Sequence, residues 1–377
     1  MPGPYRMRLW NAWVEVEPTP DLRSVLVELT NRCNLDCRMC FKRHLKDPQG
    51  EMDFALFEKL LEDLKPFPQM EMVYLAGIGE PTCHPRFFDA LASVKERGYA
   101  AGFSTNGLNL GEEGWERVVV MGVDLVYVSV DYLPARRGDL GHPLPEGAME
   151  GIGKLQEIKR RGGFARPSVG VEVVASSENL EDLPEQVKLL LSLGVDAVVI
   201  SNLIPMDEEQ AERTVYLKPD GERIKRVLDR LHSIAGRGAH VRIPSFELKT
   251  ERRCDFDESS SAVVRWDGAV SPCYRFSHTY EELVFGRRKR INAFSFGNIR
   301  DESLYDIWMG RDYSVFRFVV KNYVYPSCTD CHLQSCCDFV LTADQDCWGN
   351  EPSCADCLWS RNLVLCPVPR RTKDRFV

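Results

Sequence analysis

Three closely spaced cysteines near the start of the chain have the residue type and spacing to hold an iron–sulfur cluster. Cys33, Cys37 and Cys40 follow a C-x3-C-x2-C pattern. A cubane cluster has one iron more than these thiolates can ligate, and an open iron can bind a substrate or cofactor and act on its bonds. The spacing therefore predicts chemistry as well as electron storage. A zinc knuckle or a set of redox thiols is the alternative.

An apolar run over residues 24–30 precedes these cysteines and predicts a strand. The cysteine loop then lies at the carboxyl end of a first barrel strand, where active sites of such folds are found. At this point the chain resembles the radical S-adenosylmethionine enzymes. The resemblance implies a [4Fe-4S] cluster whose open iron binds S-adenosylmethionine. One electron from that cluster cleaves the cofactor to methionine and a 5′-deoxyadenosyl radical, which abstracts a hydrogen atom from a substrate.

A second strand, predicted over residues 72–76, runs into Gly77-Ile78-Gly79-Glu80-Pro81. This segment resembles the glycine-glycine-glutamate motif of the same family, with Ile78 in place of the first glycine. The resemblance implies that Gly79 lets the backbone approach the methionine part of the cofactor, and that Glu80 is a charge partner for its ammonium group. The alternative for Glu80 is an ordinary residue of a surface turn.

Short apolar runs alternate with helical patterns over the first two thirds of the chain. Residues 53–65 place apolar side chains on one face, as expected of an amphipathic helix on a sheet. The alternation predicts an α/β fold with a parallel sheet, and the six strands match the partial (β/α)6 barrel of the radical enzymes. The predicted strands are residues 24–30, 72–76, 99–104, 124–130, 168–175 and 196–201. Three further predicted helices are residues 145–161, 180–193 and 219–235.

Polar residues follow two of these strands. Ser104 and Asn106 end the third, and Ser129 and Asp131 end the fourth. The family resemblance implies that these strand ends contact the carboxylate and ribose of S-adenosylmethionine, and hydroxyl, amide and carboxylate groups suit that task. Turn and capping roles are the alternative. Asn202, after the sixth strand, is a further candidate.

Composition and charge restrict the function classes. The chain has 377 residues and a net charge of −8, which does not provide the basic field typical of nucleic-acid binding. No apolar segment is long enough to span a bilayer and no apolar signal core follows Met1, so a cytoplasmic protein without a membrane contact is expected. The 14 cysteines are then better explained by metal or cluster ligation than by disulfides.

The cysteine density rises after residue 244, and we place a domain boundary there. The predicted division is a lead-in over residues 1–23, the barrel over 24–244 and a small cysteine-rich α+β domain over 245–377. Asp267-Gly268 predicts a tight hairpin that would hold Cys254 and Cys273 near one another. The further candidate ligands are Cys328, Cys331, Cys337, Cys347, Cys354, Cys357 and Cys366.

This half resembles the SPASM extension of radical enzymes, in which two auxiliary four-iron clusters lie beyond the barrel. The resemblance implies one cluster at Cys254 and Cys273 and another at Cys328, Cys331 and Cys337. The family places its next cysteine where this chain has Leu341. We expect Cys347 to complete the first cluster and Cys366 the second, with Cys354 and Cys357 as alternatives in either site. A zinc lobe built on the two C-x2-C pairs is the competing interpretation.

The tail from Asp346 to Pro367 resembles a narrower group, the maturases associated with tungsten-containing aldehyde ferredoxin oxidoreductases. This implies a tungsten-pterin cofactor, or the oxidoreductase that carries it, as the partner, and a low-potential electron donor such as ferredoxin or flavodoxin. A radical maturase of a ribosomal peptide is the second hypothesis. A non-catalytic iron–sulfur or zinc-binding protein is the third, and it would give Gly79 and Glu80 no purpose.

Overall fold

A computed structural model of the chain describes residues 2–133, 145–235, 240–366 and 368–369. The last residues of the predicted C-terminal domain, and part of the segment after the fourth predicted strand, lie outside the described residues. The strands are β1 Tyr5–Leu9, β2 Ala12–Val16, β3 Ser24–Val27, β4 Met72–Leu75, β5 Ala100–Thr105, β6 Leu125–Ser129, β7 Ser168–Ala175, β8 Ala197–Asn202, β9 His240–Arg242, β10 Ser261–Val264, β11 Val270–Ser271, β12 Tyr280–Val284 and β13 Arg287–Ile291. The α-helices are α1 Phe54–Asp63, α2 Phe87–Glu96, α3 Gly111–Val120, α4 Pro145–Gly162, α5 Leu183–Ser192, α6 Glu208–Glu212, α7 Gly221–Ala235, α8 Asp255–Glu258, α9 Leu304–Met309 and α10 Arg311–Lys321.

The described strands form one large sheet and two small hairpins. The large sheet has nine strands in the order β11-β10-β3-β4-β5-β6-β7-β8-β9. All neighbours from β10 to β9 are parallel, and only β11 runs antiparallel. The six predicted strands are β3 to β8, in chain order and adjacent to one another, with an α-helix between each strand and the next. The α/β fold with a partial barrel is therefore confirmed.

Helix α1 shows how the barrel helices cover the sheet. The side chain of Asp53 accepts a hydrogen bond from the backbone N–H of Ala55 and caps the first turn, as an N-cap aspartate does. Phe57 and Leu60 are fully buried, in the same apolar core as Val25 of β3 and Val73 of β4. The apolar stripe therefore stabilises the helix by burial in this core, as the sequence pattern predicts.

The C-terminal half contributes two strands to the barrel sheet. β10 pairs in parallel with β3, so that Ala262 lies opposite Val25, and β11 returns antiparallel to β10. The turn between them contains Gly268, whose φ of +89° is in the left-handed region that favours glycine. The tight hairpin at Asp267-Gly268 is confirmed, and the edge of the barrel is built partly from the cysteine-rich half. The predicted boundary at residue 245 stays a prediction.

The described part of the chain contains no helix with the length and apolar character required to cross a bilayer. Its largest apolar core lies between the sheet and the barrel helices and extends to α9 and α10. A separate apolar cluster lies inside the curved sheet, on the face that carries Leu26 and Tyr74. The cysteine-rich half packs against this inner face, and Cys254, Cys273 and Cys366 contact it.

Candidate functional site

The loop that carries Cys33, Cys37 and Cys40 is anchored where it leaves and rejoins the barrel. Thr30 Oγ1 donates to the carbonyl oxygen of Gly50 at 2.7 Å, and the Asn31 side chain bonds the same return segment on both of its polar atoms. Residues 30 and 51 form an isolated bridge that ends the loop. All three cysteines are half-buried. The anchors therefore fix the base of the loop, while the three cysteine residues stay partly exposed.

The Gly77-Ile78-Gly79-Glu80 segment lies directly beside this loop. A Cβ atom on Gly79 would lie 2.2 Å from the carbonyl oxygen of Thr30 and 2.5 Å from that of Arg32, so only glycine fits there. The backbone N–H of Glu80 donates to the Arg32 carbonyl at 2.8 Å. These contacts couple the cysteine loop to the end of β4. Gly79 therefore approaches the cysteine loop closely, and its predicted approach to the cofactor stays a prediction.

Glu80 anchors the ends of two strands. Its Oε1 accepts hydrogen bonds from the hydroxyls of Thr82 and Thr105 at 2.6 and 2.8 Å, and Oε2 accepts from the backbone N–H of Asn106 at 2.7 Å. Burial raises the pKa of Glu80, although these hydrogen bonds act to lower it. Both carboxylate oxygens of Glu80 thus accept hydrogen bonds from within the protein. The predicted contact with the cofactor's ammonium group stays a prediction, and a positioning role now stands beside it.

The other predicted cofactor residues meet at one cavity. A space of about 340 Å³ at the carboxyl ends of the strands is lined by the three cysteines and by the following predicted residues: Gly79, Glu80, Ser104, Asn106, Ser129, Asp131 and Asn202. Asn106 Nδ2 donates to Asn34 Oδ1 at 2.7 Å, which links the end of β5 to the cysteine loop. The structure therefore brings together side chains that the sequence spreads over about half of the chain.

Two of these residues have partners that the sequence did not indicate. Asp131 Oδ1 accepts from the backbone N–H of Val174 at 3.1 Å. Asn202 Nδ2 donates to the carbonyl oxygens of Ser245 and Leu363, both at 2.9 Å. Asn202 therefore holds the C-terminal tail against the barrel, and this tail forms one wall of the cavity.

Sequence reasoning missed a carboxyl group in the cavity. Glu172, near the middle of β7, lines it, and Ser104 Oγ donates to Glu172 Oε1 at 2.7 Å. Burial raises the pKa of Glu172 to about 7, the hydrogen bond from Ser104 acts to lower it, and the nearby Asp131 raises it. A carboxyl group of this kind can exchange a proton at neutral pH. A single glutamate in a predicted strand carries no signal of such a role.

The C-terminal cysteines form two groups. The first, which we call the hairpin pocket, surrounds a cavity of about 50 Å³ and contains the thiols of Cys254, Cys273, Cys354 and Cys357. Burial raises the pKa of Cys354, and Cys357, Cys254 and Cys273 raise it further because their sulfur atoms are close. The set supplies as many thiolates as a cubane cluster takes.

The second group, which we call the outer group, combines Cys328, Cys331, Cys337 and Cys347. Burial raises the pKa of Cys328 to about 12, and Cys347 and Cys331 contribute to the rise. The residue Cys347 is exposed, and nearby Cys337 and Cys331 contribute to raising the pKa of its thiol.

These groupings differ from our expectation about the closing ligands, and cluster ligation itself stays a prediction. We expected Cys347 beside Cys254 and Cys273, but it lies with the outer group, and the alternatives Cys354 and Cys357 fill the hairpin pocket. Cys366 lines the cavity of the N-terminal cysteines instead, where Trp359 Nε1 donates to its sulfur at 2.9 Å. The turns of the C-terminal tail determine which cysteines lie together, and the spacing of the cysteines in the sequence does not show how the tail turns.

Within the described residues, no group of three or more His, Cys, Asp or Glu side chains is close enough to hold a single metal ion. A cubane cluster is wider than one ion and takes thiolates that are further apart. The sulfur-only donor sets suit iron–sulfur clusters, and the three-cysteine loop beside a polar cavity suits a cluster with an open iron.

A buried charge network lies beneath the hairpin pocket. Arg275 forms ion pairs with Glu282 at 2.7 Å and with Asp356 at 3.2 Å, and Lys289 pairs with Asp356 at 2.9 Å. Asp356 stands between Cys354 and Cys357 in the sequence. The network therefore fixes the turn that carries two thiols of the pocket.

Comparison with known proteins decides the family. The chain is 52% identical over 359 residues to the tungsten-containing aldehyde ferredoxin oxidoreductase cofactor-modifying protein of Pyrococcus furiosus, which covers 94% of this chain and 100% of that protein. Residues 27–165 match the model of the Radical SAM superfamily, and residues 254–332 match the SPASM iron-sulfur cluster-binding domain. The chain belongs to the radical SAM superfamily, in the family of this Pyrococcus protein.

More distant similarities agree with this assignment. Pre-heme d1 synthase of Dinoroseobacter shibae is 28% identical over 264 residues, 69% of this chain and 61% of that protein. The structure of Streptococcus suis SuiB bound to its precursor peptide SuiA superposes with a TM-score of 0.59 at 16% identity, over 85% of this chain and 72% of that one. At this identity the second similarity concerns the fold alone.

As a radical SAM enzyme, the chain uses S-adenosylmethionine with a [4Fe-4S] cluster, and its SPASM domain implies auxiliary iron–sulfur clusters. The bound cofactor and cluster supply reductive cleavage to a 5′-deoxyadenosyl radical. Within the chain, cysteines supply the sulfur ligands, Gly79 shapes the cavity, and the ends of several strands present polar groups to it.

Proposed function

We propose that this radical SAM enzyme is a maturase that modifies a tungsten-pterin cofactor or the aldehyde ferredoxin oxidoreductase that carries it. The observation that carries the proposal is the identity of 52% with the Pyrococcus cofactor-modifying protein along nearly the whole chain. The cavity supports it because the cysteine loop, the glycine-glutamate segment and the polar strand ends line one space.

Within this proposal, Cys33, Cys37 and Cys40 hold the cluster that binds S-adenosylmethionine. Gly79, Asn106, Ser129 and Asp131 contact the cofactor, and Glu80 supports it through hydrogen bonds within the protein. Ser104 lines the same cavity, and its hydroxyl is hydrogen-bonded to Tyr74 and Glu172. The cavity continues past these residues to Trp359 and Cys366 of the tail, and we assign this further part to the substrate.

The hairpin pocket and the outer group each hold one auxiliary cluster in this proposal. Their sulfur-rich surroundings suit the transfer of electrons to or from the cavity. We infer that a low-potential carrier such as ferredoxin or flavodoxin supplies the electron for cofactor cleavage. Such clusters and free thiols require a reducing compartment, so we also infer a cytoplasmic location.

Anaerobic reconstitution tests the proposal in two steps. The reconstituted, reduced chain should release 5′-deoxyadenosine from S-adenosylmethionine, and the variant with Cys33, Cys37 and Cys40 all replaced by alanine should not. The second step adds the tungsten oxidoreductase purified from cells that lack this chain. A mass change in that protein or in its extracted cofactor is the expected result. Cofactor cleavage without such a change, together with modification of a small peptide encoded nearby, would favour the ribosomal-peptide hypothesis instead.

A further inference from the structure

Glu172 lies on the substrate side of the cavity. It is on β7, which is separated from β3 by three strands of the sheet, whereas the cysteine loop follows β3 directly. The cavity wall beyond Glu172 consists of β8, Tyr274 and the tail residues Trp359 and Cys366. A group at this position faces a molecule that enters between the cysteine loop and the tail.

A directional hydrogen-bond chain ends on Glu172. Ser104 Oγ donates to Glu172 Oε1 at 2.7 Å, so the Tyr74 hydroxyl, 2.9 Å from Ser104 Oγ, is the donor in the preceding bond. Tyr74 can occupy this position because it lies over Gly102 of the neighbouring strand, where a Cβ would approach its ring to 2.8 Å. Glu172 Oε2 has no protein hydrogen-bond partner among the described residues. One oxygen is therefore held in place and the other is available to a ligand.

The charged and titratable groups around Glu172 favour proton exchange. Asp131, after the end of β6, disfavours a second negative charge nearby. Tyr274 and Cys366 line the same cavity, and Tyr74 lies close enough to Glu172 for their charges to interact. No Lys, Arg or His is among the described residues that line the cavity, so none of those residues supplies a cation that would hold Glu172 in its charged form. These surroundings give Glu172 a pKa of about 7. That value lies near the operating pH, where a general acid or base is most effective.

We propose that Glu172 is the catalytic proton acceptor of this cavity, with Ser104 and Tyr74 as its positioning residues. A substrate O–H, N–H or S–H bond breaks, the proton moves to Glu172 Oε2, and the substrate atom keeps the electron pair. The carboxylate becomes a neutral carboxylic acid, which can return the proton later. This assignment rests on the proposed function for the identity of the substrate, but the placement of Glu172 does not.

The reconstituted full chain tests this role, with the tungsten oxidoreductase from cells lacking the chain as the probe. Glu172→Gln should lower the rate of probe modification by about 10²–10⁴-fold, the usual contribution of a general acid or base. The wild-type rate should rise with pH through an inflection near 7, and the residual rate of the variant should not. Glu172→Asp should restore part of the rate and the inflection. Ser104→Ala should move the inflection to higher pH because the carboxylate loses a hydrogen bond.

Glu157→Gln, the same change on the exposed face of α4, is the matched control and should keep the wild-type profile. A purely structural role for Glu172 would lower the rate by one factor at every pH, and this result would overturn the proposal. A wild-type dependence of the rate on pH in Glu172→Gln would also overturn the proposal.

A second measurement needs no substrate. In the S-adenosylmethionine-loaded chain with ¹³C-labelled glutamate, the infrared band of a protonated carboxyl group should disappear with a midpoint near pH 7, and Glu172→Gln should lack it. Loss of this titration when S-adenosylmethionine binds would assign Glu172 to the cofactor and overturn the proposal. If the wild-type chain leaves the oxidoreductase unmodified but shows the titrating band, the proposed substrate fails and the role of Glu172 is retained.

Discussion

Glu28 and His278 are separated by 250 positions in the sequence, yet both carboxylate oxygens of Glu28 lie 3.0 Å from the imidazole Nε2. The other ring nitrogen of His278 is 2.9 Å from Asp47. Glu28 also accepts from the backbone N–H of Ile78. The imidazole from the cysteine-rich half therefore connects the end of β3, the return segment of the cysteine loop and the glycine-glutamate segment.

We predict that this contact makes the stability of the chain depend on pH. Burial acts to lower the pKa of His278, but the hydrogen bonds with Asp47 and Glu28 outweigh it and raise the pKa from 6.5 to about 9. Because the pKa is higher in the folded state, protonation of His278 stabilises that state fully below pH 6.5. This stabilisation is lost as the pH rises to about 9. It should amount to on the order of 3 kcal/mol. Urea unfolding between these pH values should show the decrease.

His278→Gln should remove most of that pH dependence and lower the stability at pH 6.5. His232→Gln, on the exposed face of α7, is the control and should leave the slope unchanged. An equally steep slope in His278→Gln would show that another group is responsible.

Gly79→Ala should separate the cysteine loop from the end of β4. The added methyl group would lie 2.2 Å from the Thr30 carbonyl oxygen, which is backbone and cannot rotate away. We expect a loss of about 1–3 kcal/mol in unfolding free energy and weaker binding of S-adenosylmethionine in equilibrium dialysis. Gly153→Ala is a suitable control because open space surrounds that position in α4. Normal cofactor affinity in Gly79→Ala would contradict the close coupling of the two loops.

Glu80→Gln should destabilise the chain before any cofactor is added. The amide group would turn a donor toward Thr82, Thr105 or the N–H of Asn106, all of which donate to Glu80 in the native structure. The expected loss is about 1–3 kcal/mol in the unfolding free energy of the cluster-free chain. If the carboxylate acts only on the cofactor's ammonium group, unfolding will be unchanged and only cofactor affinity will fall.

Local patterns were sufficient to predict the barrel and the cysteine loop. The buried strand Met72–Leu75 ends two residues before Gly77, and the loop at Cys33 follows Ser24–Val27, so sequence order and the rule for parallel sheets place both at one edge. The amphipathic period of α1 likewise specified its buried face. These features depend on neighbours a few residues away.

Features that depend on distant segments escaped prediction. The pairing of β10 with β3 joins residues more than two hundred positions apart. An apolar run predicts a strand but does not indicate which other strand pairs with it. The same limit applies to Cys347 and Cys366, whose positions follow from tail turns. Glu172 acquires its raised pKa from burial, and from Asp131, which follows a different strand, so its residue type alone indicated nothing.

Asp356→Asn should destabilise the cysteine-rich half strongly. Asp356 is fully buried, and its loss would leave Lys289 and Arg275 with less compensation for their buried charges. Breaking a buried ion pair in this way costs on the order of 3–5 kcal/mol, measurable by urea unfolding. Asp344→Asn, an exposed change nearby, should have little effect. A loss below about 1 kcal/mol for Asp356→Asn would mean that the network relaxes.

The two cysteine groups give a last prediction about iron content. Replacing Cys354 and Cys357 with alanine should remove the same cluster as replacing Cys254 and Cys273, because all of these thiols surround the hairpin pocket. Each double variant should lose about four irons after anaerobic reconstitution, and the quadruple variant should lose no more. Cys347→Ala should instead act on the outer group with Cys328. Cys336→Ala is the control, since its exposed thiol points to the Leu333 carbonyl. Additive losses in the quadruple variant would place the two pairs in different clusters.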